Sequence, residues 1–151
     1  MIPEPVGAAL AHEWTTVTLA YADPEDGAPQ ACAVFYAWDE GEERLLFLSS
    51  QSTRHGRALD GATVAFTAQA EGQDWRTIRG LQGRGRVRRL GDEDERAAAW
   101  RVYVARFPFA ADDALSAALA RADLWQLRPE WLRLIDNGVA FGHKVEWPEA
   151  L

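Results

Sequence analysis

A series of short apolar stretches, some alternating with a two-residue period and some continuously apolar, runs from residue 15 to residue 90 with polar turns between them. In "TTVTLAYA" the apolar Val17, Leu19 and Tyr21 share one face, which is typical of a half-buried strand. Four further strands are predicted in "QACAVFYAW", in "LLFLS" from Leu45, in "ATVAFTAQA" and in "TIRGLQGRGRVRRL". The second and third are joined by the polar "DEGEER", which predicts a hairpin. One short helical stretch interrupts the series, so it does not alternate as a parallel βαβ fold does.

The hydrophobic period changes at Asp92. Asp92 followed by Glu95 matches a capping box at the start of a helix, and Pro108 predicts the end of that helix. Between them, the apolar residues that recur at helical spacing are Trp100, Val104 and Phe107. Further elements are predicted as a short helix over residues 3–12, a helical piece in "DDALSAALARA" and closing strands in "LWQLRPEWLRLID" and "GHKVEW". This order of elements predicts an α+β or barrel architecture.

Composition limits the class of protein. The 151 residues fit one domain over residues 1–151, and 48% of them are hydrophobic, so the chain has enough apolar surface for a core. The net charge of −7 disfavours general nucleic-acid binding, which depends on neutralising phosphates. There is no basic leader and no run of 18 apolar residues. We therefore expect neither a signal peptide nor a membrane span, and a cytoplasmic location.

The stretch "LLFLSSQSTRHGRAL" gathers hydroxyl and basic side chains where the third strand meets a helix. A strand end followed by a helix start is a ready anion site, because the first backbone N–H groups of the helix lack partners. Ser52 or Thr53 is the candidate helix cap. The candidate anion-binding residues are Ser49, Ser50, Thr53, Arg54, His55 and Arg57. An ordinary helix cap with solvated bases explains the same residues equally well.

The fifth predicted strand carries two glycines on its apolar face, Gly83 and Gly85. Glycine inside a strand usually marks a bulge or the close approach of a backbone or a ligand. The opposite face carries three arginines: Arg84, Arg86 and Arg88. This row favours a solvated face paired with the many acids of the chain over an anion-binding stripe.

The chain offers no evident catalytic or metal-binding set. Its three histidines, His12, His55 and His143, lack the spacing of metal ligands, so no metal is expected. The one cysteine, Cys32, excludes an internal disulfide and lies in an apolar run, where we expect a buried, inert thiol. No nucleophile, base and acid can be grouped from the remaining residues, so catalytic residues stay unassigned.

Four segments, taken together, resemble a known family. They are Thr53-Arg54-His55, "IRGLQGRG" over residues 78–85, "RFP" at residues 106–108 and "DNGVAFGHKVEW" over residues 136–147. The chain resembles the YhbP-type branch of the pyridoxamine 5′-phosphate oxidase superfamily, where comparable segments occur in the same order. Each segment alone is weak evidence, but four in order are fairly specific, and they span nearly the whole chain.

The resemblance implies a fold, a cofactor and an assembly. The fold is mainly β, a six-stranded antiparallel Greek-key split barrel with flanking helices, and the assembly is a homodimer with FMN at the subunit interface. The implied phosphate-binding residues are Ser49, Thr53, Arg54 and His55, with Ser50 as a further donor. The implied lining of the isoalloxazine ring is the backbone of Ala33, Val34 and Phe35, with Gln82 as a looser candidate on the fifth strand.

The resemblance also implies an activity, that of an FMN-dependent oxidoreductase passing a hydride or electrons between NAD(P)H and a small acceptor. Two alternatives stay open: a flavin-binding sensor or carrier without turnover, and a barrel that uses haem or a deazaflavin. The vitamin B6 oxidases recognise their substrate through an Arg-x-His pair near the C-terminus. Here Arg133 is followed by Leu134 and Ile135, so that pattern is missing. His55 stands where many relatives have Lys, so its charge depends on pH.

Overall fold

The computed structural model describes residues 1–50, 53–119 and 122–149. Their strands form one antiparallel sheet and are β1 (Thr16–Ala22), β2 (Pro29–Asp39), β3 (Arg44–Ser49), β4 (Thr63–Gln69), β5 (Arg79–Arg89), β6 (Asp123–Asp136) and β7 (Lys144–Trp147). The helices are α1 (Glu4–His12), α2 (Arg54–Leu59), α3 (Glu93–Arg106), a 3₁₀ turn (Pro108–Ala111) and α4 (Asp113–Leu119). None of the helices in the described residues is long and apolar enough to cross a membrane.

The strands close into a barrel. In sheet order they run β3-β2-β1-β4-β5-β6-β7, and β3 also pairs with β6. Three consecutive strands followed by β4, which returns to lie beside β1, make a Greek key. The six-stranded Greek-key split barrel is therefore confirmed. The last predicted strand, β7, is an extra strand on the edge of β6 and not part of the closed barrel.

Two strands change partners along their length, and this opens one side of the barrel. Strand β2 pairs with β1 over residues 29–35, whereas its pairing with β3 covers only residues 36–39. Strand β6 pairs with β3 over residues 123–127 and with β7 over residues 132–135. The barrel is thus split beside the first half of β2.

The barrel interior is filled by the apolar face of each strand. Strand β4 shows this most clearly, since its residues alternate between exposed and buried at every step. The hydroxyl of Tyr36 donates to the carbonyl of Leu10 at 2.7 Å and so ties α1 to the barrel. The largest fully buried side chains of this core are Trp125, Tyr36, Phe47, Phe66, Leu10, Leu19, Leu45, Leu59 and Leu81.

The two glycines of β5 are explained by packing inside the barrel. A Cβ at Gly83 would lie 2.2 Å from the ring of Phe66, so that ring occupies the space a side chain would need. A Cβ at Gly85 would lie 2.4 Å from the carbonyl oxygen of Arg128, next to a register shift between Arg84 and Gly85. A close approach and a bulge are both found, and at each glycine the space for a side chain is filled by other atoms of the protein.

Helix α3 begins and ends where the sequence predicts. The carboxylate of Asp92 accepts a hydrogen bond from the backbone N–H of Glu95 at 2.9 Å. The carboxylate of Glu95 reaches across to Arg88 on β5. The helix ends at Arg106, and Pro108 opens the 3₁₀ turn.

The residues that α3 buries lie one position before Trp100 and Val104. The buried residues of the helix are Ala99 and Tyr103, whereas Trp100 and Val104 are only partly buried and pack at the margin of the same cluster. This cluster includes the buried Ala37 of β2 and Leu46 of β3. The small Ala99 lets the helix backbone come close to the sheet, which a tryptophan at that position would prevent.

A buried polar network lies between the start of α3 and the barrel. Arg44 donates to Asp39 at 2.9 Å and to the side-chain oxygen of Gln126 at 3.0 Å, and all three residues are buried. Glu95 of α3 approaches the same guanidinium at 3.9 Å. Because this charge is paired and hydrogen-bonded, its burial is tolerated.

Candidate functional site

The first half of β2 presents a strand edge to solvent. The backbone N–H of Tyr36 donates to Thr15, on the side of β1. Since strand amides alternate in direction, the amides of Ala33 and Phe35 face the other side, where β3 has turned away. Among the strands that the structure describes, none pairs with residues 29–35 on that side. These backbone groups are therefore available to a ligand.

The outward side chains next to this edge are small. Ala31 and Ala33 are exposed on β2, and Phe35 beside them is 51% exposed. Phe35 meets the rings of Phe107 and Phe109, with centroids 5.6 and 6.3 Å away. The same outer face continues across β1 and β4, and its residues, which we call the small-residue face, are Ala31, Ala33, Thr16, Thr18, Ala20, Ala65 and Thr67. A planar ring can approach this backbone closely.

Helix α2 starts beside the split, and Thr53 caps it as predicted. The Thr53 hydroxyl accepts from the backbone N–H of Gly56 at 3.1 Å and donates to the carbonyl of Ser50 at 2.7 Å. A Cβ at Gly56 would lie only 2.0 Å from that carbonyl oxygen, so α2 packs against the end of β3 with no room for a side chain. The Thr53 hydroxyl proton is thus engaged in the cap. Because α2 has six residues, its dipole contributes little.

Arg54 on α2 is held by a residue from the turn between β1 and β2. Its Nε and Nη2 groups donate to one carboxylate oxygen of Asp23, at 3.0 and 2.8 Å. The other oxygen of Asp23 accepts from the backbone N–H of Glu25 at 2.9 Å. This backbone N–H, and next the Arg54 guanidinium, lower the pKa of Asp23 below its usual range. The hydrogen bond to Asp23 raises the pKa of Arg54, which stays charged.

A pocket of about 290 Å³ lies between that turn and α2. Its lining residues are Asp23, Pro24, Glu25, Arg54, Arg57 and Ala58. Two cations and two carboxylates therefore meet at this opening, and the side chain of Arg54 is 60% exposed.

The remaining predicted site residues lie at different distances from this cluster. Ser49 is buried, with its hydroxyl 3.4 Å from that of Thr53, and its carbonyl accepts from the indole N–H of Trp125 at 2.8 Å. Val34 points into the barrel and packs on the core, so only its backbone borders the edge. His55 lies in α2. Ser52, the second candidate cap, lies outside the described residues.

Gln82 does not join the cluster. It lies on the outer side of β5, aligned through Thr67 and Thr18 with Ala33. Three strand spacings separate it from Ala33, or roughly 14 Å. Gln82 is therefore well separated from the open edge of β2 at Ala33.

The arginines of β5 mostly pair with acids, as the sequence favours. Arg88 binds Glu95, and Arg86 lies 3.6 Å from Glu130. Arg84 instead lies over the ring of Trp131 at 5.1 Å. Arg133, which lacks the Arg-x-His pattern of the vitamin B6 oxidases, also lies over this ring and donates to Glu146 at 2.6 Å.

Sequence reasoning missed Asp23. It is 31 positions from Arg54, and the available signal was its place at the start of "DPEDGAP", since Asp before Pro commonly initiates a turn. Nothing in that signal indicates a partner on α2.

These residues fit a flavin phosphate in the chemistry of their donors. The edge amides of β2 and the small Ala33 leave room for a planar ring, and Arg54 offers a charged guanidinium beside the strand end. Asp23 and Glu25 line the same pocket, so the local charge is balanced rather than strongly positive.

A family model for pyridoxamine 5′-phosphate oxidase matches residues 5–136. The chain belongs to this family. A relative within it, the UPF0306 protein YhbP of Escherichia coli (strain SMS-3-5 / SECEC), is 32% identical over 126 residues, which are 82% of this chain and 79% of that protein. The YhbP-type resemblance drawn from the four segments is confirmed.

Solved structures of the same fold include proteins with different ligands. A FAD binding protein from Mycobacterium smegmatis superposes with a TM-score of 0.67 at 16% identity, covering 89% of this chain and 95% of that one. HutZ, a haem storage protein from Vibrio cholerae, superposes with a TM-score of 0.65 at 23% identity, covering 86% and 92%. At such identities these structures support the split-barrel fold of the pyridoxamine 5′-phosphate oxidase family and no more.

Proposed function

We propose that the chain is an FMN-binding oxidoreductase that acts as a homodimer, with NAD(P)H and a small-molecule acceptor as its reactants. The observation that carries the proposal is the open edge of β2 beside α2, in a chain of the pyridoxamine 5′-phosphate oxidase family. FMN supplies the hydride chemistry when bound. The chain supplies the ring site along Ala33 and Phe35 and the charge of Arg54.

The backbone of β2 orients the ring in this proposal. The outward amides of Ala33 and Phe35 donate to polar atoms at the ring edge, while the methyl group of Ala33 sets how closely the ring approaches. Phe35, together with the rings of Phe107 and Phe109, closes one end of the proposed ring site and excludes water from it. Arg54 and His55 then meet the phosphate, which carries a charge of nearly −2 at neutral pH.

Dimerisation is supported by the small-residue face. Ala and Thr side chains leave this part of the sheet exposed without bulk or charge, and exposed patches that contain apolar side chains can mark an interface. A two-fold pair is the commonest arrangement.

Light scattering should give twice the chain mass of 16.8 kDa. Ala20→Arg, in the middle of the face, should give monomers, whereas Ala97→Arg on the exposed side of α3 should not; a monomeric wild type contradicts the proposal.

The cofactor is tested by spectroscopy of the purified protein. Flavin absorption, with quenching of FMN fluorescence on titration and affinity in the micromolar range or tighter, is the expected result. A haem band in place of a flavin band would favour the haem alternative, which the shared fold of the haem storage protein HutZ motivates. No binding at tens of micromolar FMN by a folded dimer would refute the proposal. Turnover with NADH or NADPH separates an oxidoreductase from a flavin sensor or carrier.

The phosphate contact is tested by charge reversal at Arg54. Arg54→Glu replaces a charge-assisted hydrogen bond, worth about 1.5–3 kcal/mol, by repulsion, so FMN should bind at least about tenfold more weakly. Riboflavin, which lacks the phosphate, should bind as to wild type. Arg86→Glu is the matched control, because Arg86 lies on the outer side of β5 and its ion pair within the described part of the chain is with Glu130. Equal weakening of both flavins by Arg54→Glu would show that Arg54 is not a phosphate ligand.

A further inference from the structure

The bond between Arg54 and Asp23 uses only one edge of the guanidinium. Nε and Nη2 form the side edge, and both donate to Oδ2 of Asp23. The opposite end of the group, at Nη1 and Nη2, still carries donors, and the side chain as a whole is 60% exposed. Arg54 is therefore held along one edge, and its remaining donors belong to an exposed side chain that lines the pocket.

Asp23 is itself rigidly placed. Its side chain is only 8% exposed, and its second oxygen accepts from the backbone of Glu25. Its own backbone bonds Ala28 and Gly27, at 2.9 and 2.8 Å, and so closes the turn between β1 and β2. The turn thus fixes the carboxylate, and the carboxylate fixes the arginine.

An exposed arginine with several rotatable bonds loses conformational entropy when it binds a ligand, and this loss weakens binding. A guanidinium that is already ordered in the free chain loses less. Against this gain stands the negative charge of Asp23, which repels an anion in the same pocket. The exposures favour the first effect: the Asp23 side chain is only 8% exposed and its Oδ2 already accepts from Arg54, whereas the Arg54 side chain is 60% exposed.

We infer that Asp23 is a positioning residue of the anion site: it holds Arg54 by its side edge so that the end-on pair of N–H groups faces the phosphate of the flavin. The inference rests on the proposed function, and it assigns to the β1–β2 turn a part in cofactor affinity that the family resemblance does not supply. Asp23 acts only through Arg54 and does not touch the ligand.

The experiment is a double-mutant cycle read out with two ligands. Wild type, Asp23→Ala, Arg54→Ala and the double variant are each titrated with FMN and with riboflavin. Asp23→Ala should weaken FMN binding about tenfold, in line with losses of an outer partner at other binding sites, and leave riboflavin binding unchanged. In the Arg54→Ala background, Asp23→Ala should have no further effect on FMN, because its only route of action has been removed.

Glu25→Gln is the control for charge. Glu25 is exposed and lines the same pocket, and its side chain makes no contact with Arg54 that the structure describes. Removing its charge should leave FMN affinity equal to or slightly above that of wild type. A loss of FMN affinity in Asp23→Ala without a loss in Glu25→Gln separates orientation of Arg54 from simple electrostatics.

Several results would overturn the inference. Unchanged FMN binding by Asp23→Ala would mean that the carboxylate has no effect on FMN affinity, and tighter binding would mean that it repels the phosphate. An equal loss in the Arg54→Ala background would mean that it acts by another route. If Asp23→Ala misfolds or weakens the binding of both flavins, Asp23→Asn is the deciding variant, because it keeps an acceptor for the Glu25 N–H. It should weaken FMN binding about threefold and leave riboflavin binding unchanged. Wild-type FMN affinity in Asp23→Asn would refute the inference. Wild type that binds neither flavin overturns both this inference and the proposed function, whereas FMN binding indifferent to Asp23 overturns only the former.

Discussion

Two arginines of this barrel are each held by an aspartate, and they differ in almost everything else. Arg44 lies under α3 with a side chain that is 6% exposed, and its donors go to Asp39 and Gln126. Arg54 lies beside the split with a side chain that is 60% exposed, and its described hydrogen bonds go to Asp23. The Arg–Asp pair at Arg44 thus links two buried parts of the protein, whereas the pair at Arg54 holds an exposed arginine in place.

The difference teaches how to separate structural from ligand-binding arginines in a chain that has fifteen of them. An arginine whose donors all end on protein atoms has nothing left to offer a ligand. An arginine whose partner is buried while the arginine itself is exposed is ordered and still has donors available. Each prediction below tests whether this distinction holds.

The largest expected effect is on stability, at the buried pair. Arg44→Met leaves the Asp39 carboxylate buried without its partner, and breaking a buried ion pair in this way costs about 3–5 kcal/mol. Urea unfolding followed by tryptophan fluorescence should show this loss. The double variant Arg44→Met with Asp39→Leu should recover much of it, because no lone charge remains. A loss below about 1 kcal/mol for the single variant would contradict the assignment of Arg44 as a crosslink.

The matched substitution at the exposed pair should give the opposite pattern. Arg54→Met should lower the urea midpoint less than Arg44→Met does, because the Arg54 side chain is 60% exposed and Asp23 keeps its hydrogen bond from the backbone N–H of Glu25. It should weaken FMN binding about tenfold, as a lost charge-assisted hydrogen bond does. If Arg54→Met instead unfolds the protein while its FMN affinity per folded molecule is unchanged, the two arginines have the same role.

The smallest expected effect is on the titration of Asp23. Its pKa is lowered first by the Glu25 backbone N–H and then by Arg54, so the carboxylate stabilises the fold above its unfolded pKa, and that contribution is lost as pH falls through the lower folded pKa. Carboxyl NMR should find this lowered pKa in wild type. In Arg54→Met the pKa should rise but stay below its ordinary value, because the backbone bond remains. A pKa fully restored to the ordinary value would place Arg54 first among the causes.

Local patterns in the sequence predicted the local structure well. The strand periods, the cap at Thr53 and the start of α3 at Asp92 each depend on residues within a few positions of one another. The helical spacing of Trp100 and Val104 did not identify Ala99 and Tyr103 as the residues that α3 buries. Helical spacing shows that a helix has an apolar face, but it does not show which residues of that face point to the core.

The contacts between segments that are distant in the chain could not be predicted from the sequence. Asp23 meets Arg54 only because a turn and a helix from different parts of the chain come to the same end of the barrel. The ring of Phe66 fills the place of a side chain at Gly83, and no spacing rule links those two residues. The open edge of β2 is also a property of the topology, since the residues of its two halves are equally apolar.

That open edge also bears on how the protein behaves before any ligand arrives. An exposed strand edge is a template to which a strand of another chain can add, and it is a common starting point of aggregation. On β6 the second half is covered by β7, but residues 29–35 of β2 have no such strand among the described residues. A ligand lying along this edge would occupy the groups that an incoming strand needs and would raise apparent stability by mass action. The supply of cofactor during synthesis would then govern solubility as well as activity.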